Sequence, residues 1–377
     1  MWVTCLQDNL SRGLATVGRA VATRATLPVT QNVLMSTDNS RLKLTATNLE
    51  VAISTWVGAQ VESEGAITVP ARILTDFVNS LPAGKVEIEL TNEPKGIEIR
   101  CANFRANIIG TDADEFPPIP TVEDGSSATV QADRFKKALE RVVFAAATED
   151  SRPVLTGVKV GLSGSDVSLA ASDGFRLAVD HCQLSSPIEA DVDVIVPART
   201  LQEVQRLIGD QDGPIEVTFT ESLSQALFRM ENVEVVSQLL QGSFPDYSKM
   251  IPSSFGTKVT VDLKDFLQAA RAASIFARDG SGIVKLVVET SGEDSKGSMN
   301  VSSRAEEMGD NEVKIDVQVE GDDSKVAFNS KFLIDALSAL HGDNMTLETT
   351  TPSSPGVLRA STDDGYVHIV MPMFVQW

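Results

Sequence analysis

Catalysis by this chain would have to start from its histidines, cysteines, paired carboxylates or glycine loops, and among 377 residues these are few and scattered. His181, His341 and His368 sit in unrelated contexts and form no His/Cys/Asp group at metal-ligand spacing. Each reads as a surface or interface residue. Cys5, Cys101 and Cys182 have no paired spacing, which argues against a disulfide framework or a zinc site and for reduced, mostly buried small apolar residues. Asp112 with Asp114, and Asp322 with Asp323, read as solvated turns. Gly280 and Gly282 lack the third glycine and the preceding strand of a dinucleotide fingerprint, and neither a Walker A loop nor a G-x-S-x-G elbow occurs. No catalytic residue, metal or cofactor is expected, and the remaining chemistry is that of binding.

The candidates for binding are cations. A formal net charge of −20 opposes attachment to a phosphate backbone, which is driven by Lys and Arg displacing counterions. The sign reverses locally, because segments 5–24, 133–141, 198–208 and 262–278, all helical in pattern, each carry net positive charge. Arg12 and Arg19 are seven apart, and Arg134, Lys137 and Arg141 follow i, i+3, i+7. That spacing predicts one basic face per helix, opposite the apolar stripe. No aromatic residue interleaves these positions, so contact with backbone phosphates is expected and not base stacking. Such a face attracts a polyanion weakly and diffusely, while acidic surfaces elsewhere repel it.

The elements that must carry these residues recur. TVPARILTDFVNSL (68–81) returns as IVPARTLQEVQRLI (195–208) and as AFNSKFLIDALSAL (327–340), which puts Arg72, Arg199 and Lys331 at one repeat position. Upstream matches begin near Asn9, Phe135 and Phe266, and RANIIGTDADEFPPIP (105–120), VSQLLQGSFPDYSKMIP (236–252) and RASTDDGYVHIVMPM (359–373) close the units. Cuts at the Pro/Gly/Ser-rich junctions give domains 1–124, 125–253 and 254–377, each long enough for its own core. In every repeat the first segment has helical apolar spacing (Leu6, Leu10, Leu14, Val17, Val21; then Phe135, Leu139, Val142, Val143, Ala146). The second segment does too, through Ile73, Phe77 and Leu81, through Leu201, Val204 and Ile208, and through Phe332, Ala336 and Leu340. LKLTATNLEVAIST (42–55), VSLAASDGFRLAVDH (167–181) and VEVVSQLL (233–240) alternate as strands. The fold class is therefore α+β: three similar domains, each two helices packed on antiparallel β-sheet. The chain lacks a leader pattern and any apolar run of the roughly 18 residues that would span a bilayer, so a cytoplasmic location is expected.

Along its whole length the sequence resembles the bacterial DNA polymerase III beta subunit, the beta sliding clamp, most specifically through ASDGFRLA (171–178), SFPDYSKMIP (243–252) and VMPM (370–373). The resemblance implies the DNA clamp fold and a head-to-tail homodimeric ring around double-stranded DNA. It also implies a non-catalytic processivity role in which polymerase, clamp loader and other clamp-binding proteins dock a short apolar peptide motif. The implied cleft lies between the second and third domains. One wall aligns with Leu155, Ser172, Gly174, Phe175, Arg176 and Leu177, extended by Pro245, Lys249 and Met250. The third domain supplies Asn329, Phe332, Ile369, Val370, Met371, Pro372 and Met373. An aliphatic and Met-rich groove suits several apolar anchors.

The chain departs from the family at Phe175, where His is usual, and at Lys249, where Arg is typical. Phe374, Val375, Gln376 and Trp377 replace and extend the usual ending, and Trp377 could add a contact or cover the groove. Arg24 and Arg152 match DNA-contact positions, joined by Arg72, Arg199 and Lys331 from the repeat register; Ile108, Ile275 and Phe276 match the dimer interface. A three-repeat interaction scaffold that ignores DNA would keep the cleft and make the basic faces incidental. Retention on closed circular against linear DNA separates the two.

Overall fold

The computed structural model describes residues 1–23, 27–120, 122, 125–149, 151–209, 211, 213–278, 281–291, 295–362 and 365–376. Arg24, Gly280 and Trp377 lie outside the described residues. Six α-helices occur among them, two per sequence repeat: α1 (Gln7–Val17), α2 (Ala71–Ser80), α3 (Ala132–Val142), α4 (Ala198–Ile208), α5 (Leu263–Arg278) and α6 (Ser330–Ala339).

The helices form where the apolar spacing predicts them. α1 buries Leu10, Leu14 and Val17, then tightens into a 3₁₀ turn at Gly18–Ala20, so Val21 falls beyond the helix and Leu6 ends the preceding strand. In α4, Leu201, Val204 and Ile208 are buried as expected. α2 departs: it buries Ala71, Leu74 and Val78, leaving Ile73 57% exposed. Two adjacent apolar stripes coexist in ARILTDFVNS, and the sheet beneath accepts only the one centred on Leu74 and Val78. Side chains close two N-termini. Asp262 Oδ1 accepts from the Lys264 and Asp265 amides at 2.9 and 3.0 Å. Asn329 Oδ1 accepts from the Lys331 and Phe332 amides at 3.0 and 3.3 Å. Such caps contribute about 1 kcal/mol each.

Contacts divide the chain into two compact units. The first comprises Met1–Asp133, Leu184–Ala190 and Arg199–Leu239. It holds a five-stranded sheet ending on the edge strand Phe104–Ile109, and an eight-stranded sheet. The second comprises Arg134–Gln183, Asp191–Ala198 and Leu240–Trp377 and holds a twelve-stranded sheet. All recorded pairings between named strands are antiparallel, as the alternating sequences require.

The middle repeat is shared between the units because strands pair across repeat boundaries. Val51–Val57 pairs with Val233–Gln238 in the first unit, and Arg176–Gln183 pairs with Val367–Val370 in the second. Hydrogen-bonded sheets thus continue from one repeat into the next, so compactness and sequence periodicity divide the chain differently. α1 packs on α2, and α5 on α6. Among the described residues no helix is long and apolar enough to cross a membrane.

Candidate functional site

The segment ASDGFRLA builds a tight turn between the strands Asp166–Ser172 and Arg176–Gln183. Asp173 Oδ1 accepts from the Phe175 and Arg176 amides at 2.9 and 3.1 Å. Ser172 Oγ accepts from the Gly174 amide and donates to the Arg176 carbonyl at 2.7 Å. Gly174 has φ +92°, a conformation glycine adopts without the steric cost of a side chain. The turn delivers Phe175 to the surface, 59% exposed, and turns Arg176 inward, 6% exposed.

Arg176 ties several elements together. Its guanidinium donates to Asp173 Oδ2 at 3.0 Å, to Asp335 Oδ2 of α6 at 2.6 Å and to the Phe144 carbonyl at 2.8 Å. The Phe144 and Phe332 rings lie 5.4 and 4.6 Å from it. Buried charge on this scale is tolerable only when paired and hydrogen-bonded, and here both conditions hold. Phe332 in turn stacks against Phe175 at 6.5 Å between centroids, so the charged strut holds an aromatic pair at the surface. The carboxyl-terminal segment closes on the same turn: Met371 N–H donates to the Phe175 carbonyl at 2.8 Å, and Met373 N–H to Ala327 at 2.7 Å.

Tyr247, Met250 and Ile251 of the linker pack on a buried patch of Ala170, Leu177, Val179, Val357, Val367 and Ile369. Asp246 accepts from the Ser248 hydroxyl at 2.6 Å and from its amide at 3.1 Å, and the hydroxyl bond first, then the amide bond, holds its carboxyl below the usual range. Lys249 is exposed, 3.5 Å from Asp246.

The residues expected in one groove therefore divide. Leu155, Ser172, Arg176, Leu177, Ile369 and Val370 are buried supports. Gly174, Phe175, Pro245 and Lys249 are exposed, while Met250, Asn329, Phe332, Met371, Pro372 and Met373 are half-buried. Phe374 is 89% exposed. Phe144, Asp173, Tyr247 and Asp335 belong to the same assembly and were not anticipated. Only Asp173 had a readable signal, the Asp-Gly turn.

Two expectations are corrected. Arg141 is not on a solvent-facing stripe: it is 3% exposed, 3.5 Å from Asp180 and 5.3 Å over the Tyr366 ring. An i, i+7 step returns to within about 20° of the same helix face, so spacing alone does not separate Arg141 from the exposed Arg134; the buried Asp180 carboxylate and the Tyr366 ring beside the last turn of α3 take it in. His368 is not a surface residue but fully buried, stacked on Phe144 at 5.6 Å, with Nδ1 2.9 Å from the Tyr366 hydroxyl. Burial, then the nearby Arg176 charge, lowers its pKa to about 3.

Of the other predicted cations among the described residues, Lys137 is half-buried and Arg12, Arg19, Arg72, Arg134, Arg152, Arg199 and Lys331 are exposed. Arg72, Arg199 and Lys331 stand at the first turns of α2, α4 and α6, and Arg72 has only a loose 3.8 Å approach to Asp76. The Arg152 guanidinium lies against the turn glycine, where a Cβ on Gly174 would come within 3.1 Å. Ile275 is 60% exposed and Phe276 half-buried. Ile108 is buried within its own sheet, so Phe104 and Ile109 supply that strand's exposed apolar surface. Among the described residues no His/Cys/Asp/Glu group could hold a metal ion.

Family models for the DNA polymerase III beta subunit match all three parts of the chain: the N-terminal domain over residues 1–120, the central domain over 129–246 and the C-terminal domain over 248–374. The chain belongs to the DNA polymerase III beta subunit family. Its fold is the three-domain clamp fold, and it acts as a sliding clamp for DNA polymerase, a processivity subunit without catalysis of its own. Among relatives, the chain is 30% identical over 383 residues to the beta sliding clamp of Bacillus subtilis strain 168 and 31% identical over 393 residues to that of Synechocystis, with 99% of each chain covered. The crystal structure of the Bacillus subtilis clamp superposes with a TM-score of 0.94 at 29% identity over both full chains. A Pseudomonas aeruginosa clamp solved bound to griselimycin superposes at 0.91, with 25% identity over both full chains.

Proposed function

We propose that two copies of this clamp close head to tail into a ring around duplex DNA, and that the groove rimmed by Phe175, Phe332, Met250 and Met371–Met373 receives short apolar peptides of the polymerase, the loader and other clamp-binding proteins. Domain boundaries at 124/125 and 253/254, and a cytoplasmic location, go with this reading.

The observation that carries the ring is an edge left over after a pattern has been used twice. The last strand of the second repeat (Val233–Gln238) pairs with Val51–Val57 of the first. The last strand of the third (Val367–Val370) pairs with Arg176–Gln183 of the second. Among the described residues, the last strand of the first repeat, Phe104–Ile109, pairs on one side only, with Lys95–Cys101. The first half of Gly309–Gly321, in the third repeat, likewise pairs on one side only, with Lys296–Ala305. Joining these edges between copies repeats the same junction and removes the exposed backbone groups that unpaired edges present. Ile275 and Phe276 of α5, with Phe104 and Ile109, supply apolar surface there.

DNA would be held by topology. The exposed cations Arg72, Arg152, Arg199 and Lys331, together with Arg24, would face the phosphates, too diffusely for tight binding and well enough for sliding. A polymerase peptide seated in the groove then keeps the enzyme near the primer end at high effective concentration. Two measurements test this. Light scattering should give a dimer of the 40.4 kDa chain. The loaded protein should stay on nicked circular DNA and leave linear DNA; equal loss from both forms, or a strict monomer at micromolar concentration, would refute the ring.

A further inference from the structure

The first unit holds a chamber at the repeat position of the apolar patch that Tyr247, Met250 and Ile251 cover in the second, and its chemistry differs. In the second unit, Ala170 faces Val179 across a hairpin, Leu177 pairs with Ile369, and Val357 lies beside Ile369. In the first unit, Thr45 faces Ser54 in the same way, Ala52 pairs with Val236, and Leu227 lies beside Val236. Glu234, opposite Ser54, takes the place of Val367, opposite Val179. A patch that is wholly apolar in one unit is thus rebuilt in the other with two hydroxyls, a carboxylate and an alanine in place of leucine.

The strap above it also changes. The second unit's linker, FPDYSKMIP, fills its patch with Tyr247, Met250 and Ile251. The first unit's shorter FPPIP, Phe116–Pro120, has no counterpart of Tyr247 or Met250 and leaves an open space of about 600 Å³. That is within the ligand-pocket range of about 300 to 1,000 Å³. Ser36, Lys43, Thr45, Ser54 and Trp56 are among its lining residues. A second space of about 280 Å³ lies along the same Pro117–Pro120 strap and is lined by Leu49, Val51 and Ala52. Leu49 is 47% exposed at φ +79°, an apolar side chain held outward by a conformation rare for leucine.

Charge identifies what would enter. Lys43 sits 4.6 Å over the Trp56 ring, and among the described residues no carboxylate lies within ion-pair distance of it. The other lining cation, Arg229, is already shared between Glu216 and Glu234 at 2.9 Å each, a triad that keeps one net negative charge, so Lys43 is the lining cation open to an acidic group. Asp114 is an exposed rim residue of the strap. We propose that this chamber binds an extended peptide segment of a partner protein, with an acidic side chain on Lys43 beside Trp56 and aliphatic side chains along Leu49 and Val51 beneath the strap. It would be a second recognition site on the clamp, selecting charge where the other groove selects apolar anchors. The reading borrows its mode of recognition from that groove, and the test separates the two.

Trp2→Phe with Trp377→Phe leaves Trp56 as the one tryptophan of the three. Titration with acetyl-Leu-Pro-Leu-Asp-Leu-amide should then change its emission saturably. Lys43→Ala, and separately the peptide with Asn for Asp, should each weaken binding about tenfold, the scale of one charge-assisted hydrogen bond. Ala52→Leu with Ser54→Val, which restores the apolar patch, should abolish the signal in a folded protein. Phe332→Ala, in the other groove, should leave it unchanged. No saturable change at millimolar peptide, indifference to both the Lys43 and the Asn substitutions, or loss on Phe332→Ala would overturn the proposal.

Discussion

Replacing Arg176 by methionine keeps most of the side-chain length and removes the charge that ties the turn of the 166–183 hairpin to α6 and Phe144. Three hydrogen bonds disappear, to Asp173, Asp335 and the Phe144 carbonyl. Breaking one side of a buried ion pair costs about 3 to 5 kcal/mol. Here the carboxylates are not fully enclosed, with Asp173 at 16% and Asp335 at 31% side-chain exposure, so both recover part of their hydration. The Phe144 carbonyl is left short of a donor, at about 1 to 3 kcal/mol. A net loss of about 3 kcal/mol is expected, roughly 6 to 12 °C in the melting temperature of a unit of this size. Calorimetry should place that loss in the transition of the second unit and leave the first unit's transition in place. Affinity for an apolar clamp-binding peptide should fall about tenfold, because Phe332 loses the cation that fixes it against Phe175. A melting shift below 1 °C with unchanged peptide affinity would show that the guanidinium is not the strut described here.

His368 is held neutral by burial, with a pKa of about 3, while the unfolded ring titrates near 6.5. The unfolded state binds the extra proton between those values, so stability is full above pH 6.5 and declines as pH falls toward 3, by at most about 1.4 kcal/mol per pH unit. Urea midpoints between pH 7 and 5 should fall less steeply in His368→Gln than in the parent. Cys5 and Cys182 are pushed up to about 12 by burial, helped at Cys182 by Asp180 and Asp166, so neither thiol should react with iodoacetamide at pH 8 until the protein unfolds. The triple variant Arg72→Ala, Arg199→Ala, Lys331→Ala should bind linear duplex more weakly at low salt and lower the slope of log K against log salt by roughly 0.9 for each phosphate contact removed. Its dwell time on nicked circular DNA should change little, because topology holds the ring there. Ile109→Asp, on the exposed face of the edge strand, should shift the mass in light scattering from dimer to monomer.

Much of the architecture was legible because it is repeated. Helical spacing located all six helices, and alternation located the strands around them, since local apolar periodicity is what each element must bury. What failed turned on what lies opposite a residue. In α2 two apolar stripes compete, and only the opposing sheet chooses Leu74 over Ile73. In α3, spacing puts Arg141 on the face of the exposed Arg134, and the buried Asp180 beside the last turn draws it inward instead. The proposed groove comes from the resemblance, and which of its residues face outward depends on one turn, where Asp173 and Gly174 send Phe175 to the surface and Arg176 to the interior.

By itself the sequence determined the number of repeats, the helix and strand content and the family. These follow from local periodicity and from residue types, which any window of the chain carries. Only the tertiary structure decided that strands pair across repeat boundaries, that Arg176, Asp335 and two phenylalanines from distant segments form one strut, and that His368 is sealed from water. It also decided that the shorter linker leaves open in one unit the chamber that Tyr247 and Met250 fill in the other. Burial and long-range pairing are properties of what lies opposite a residue, and no local pattern records that.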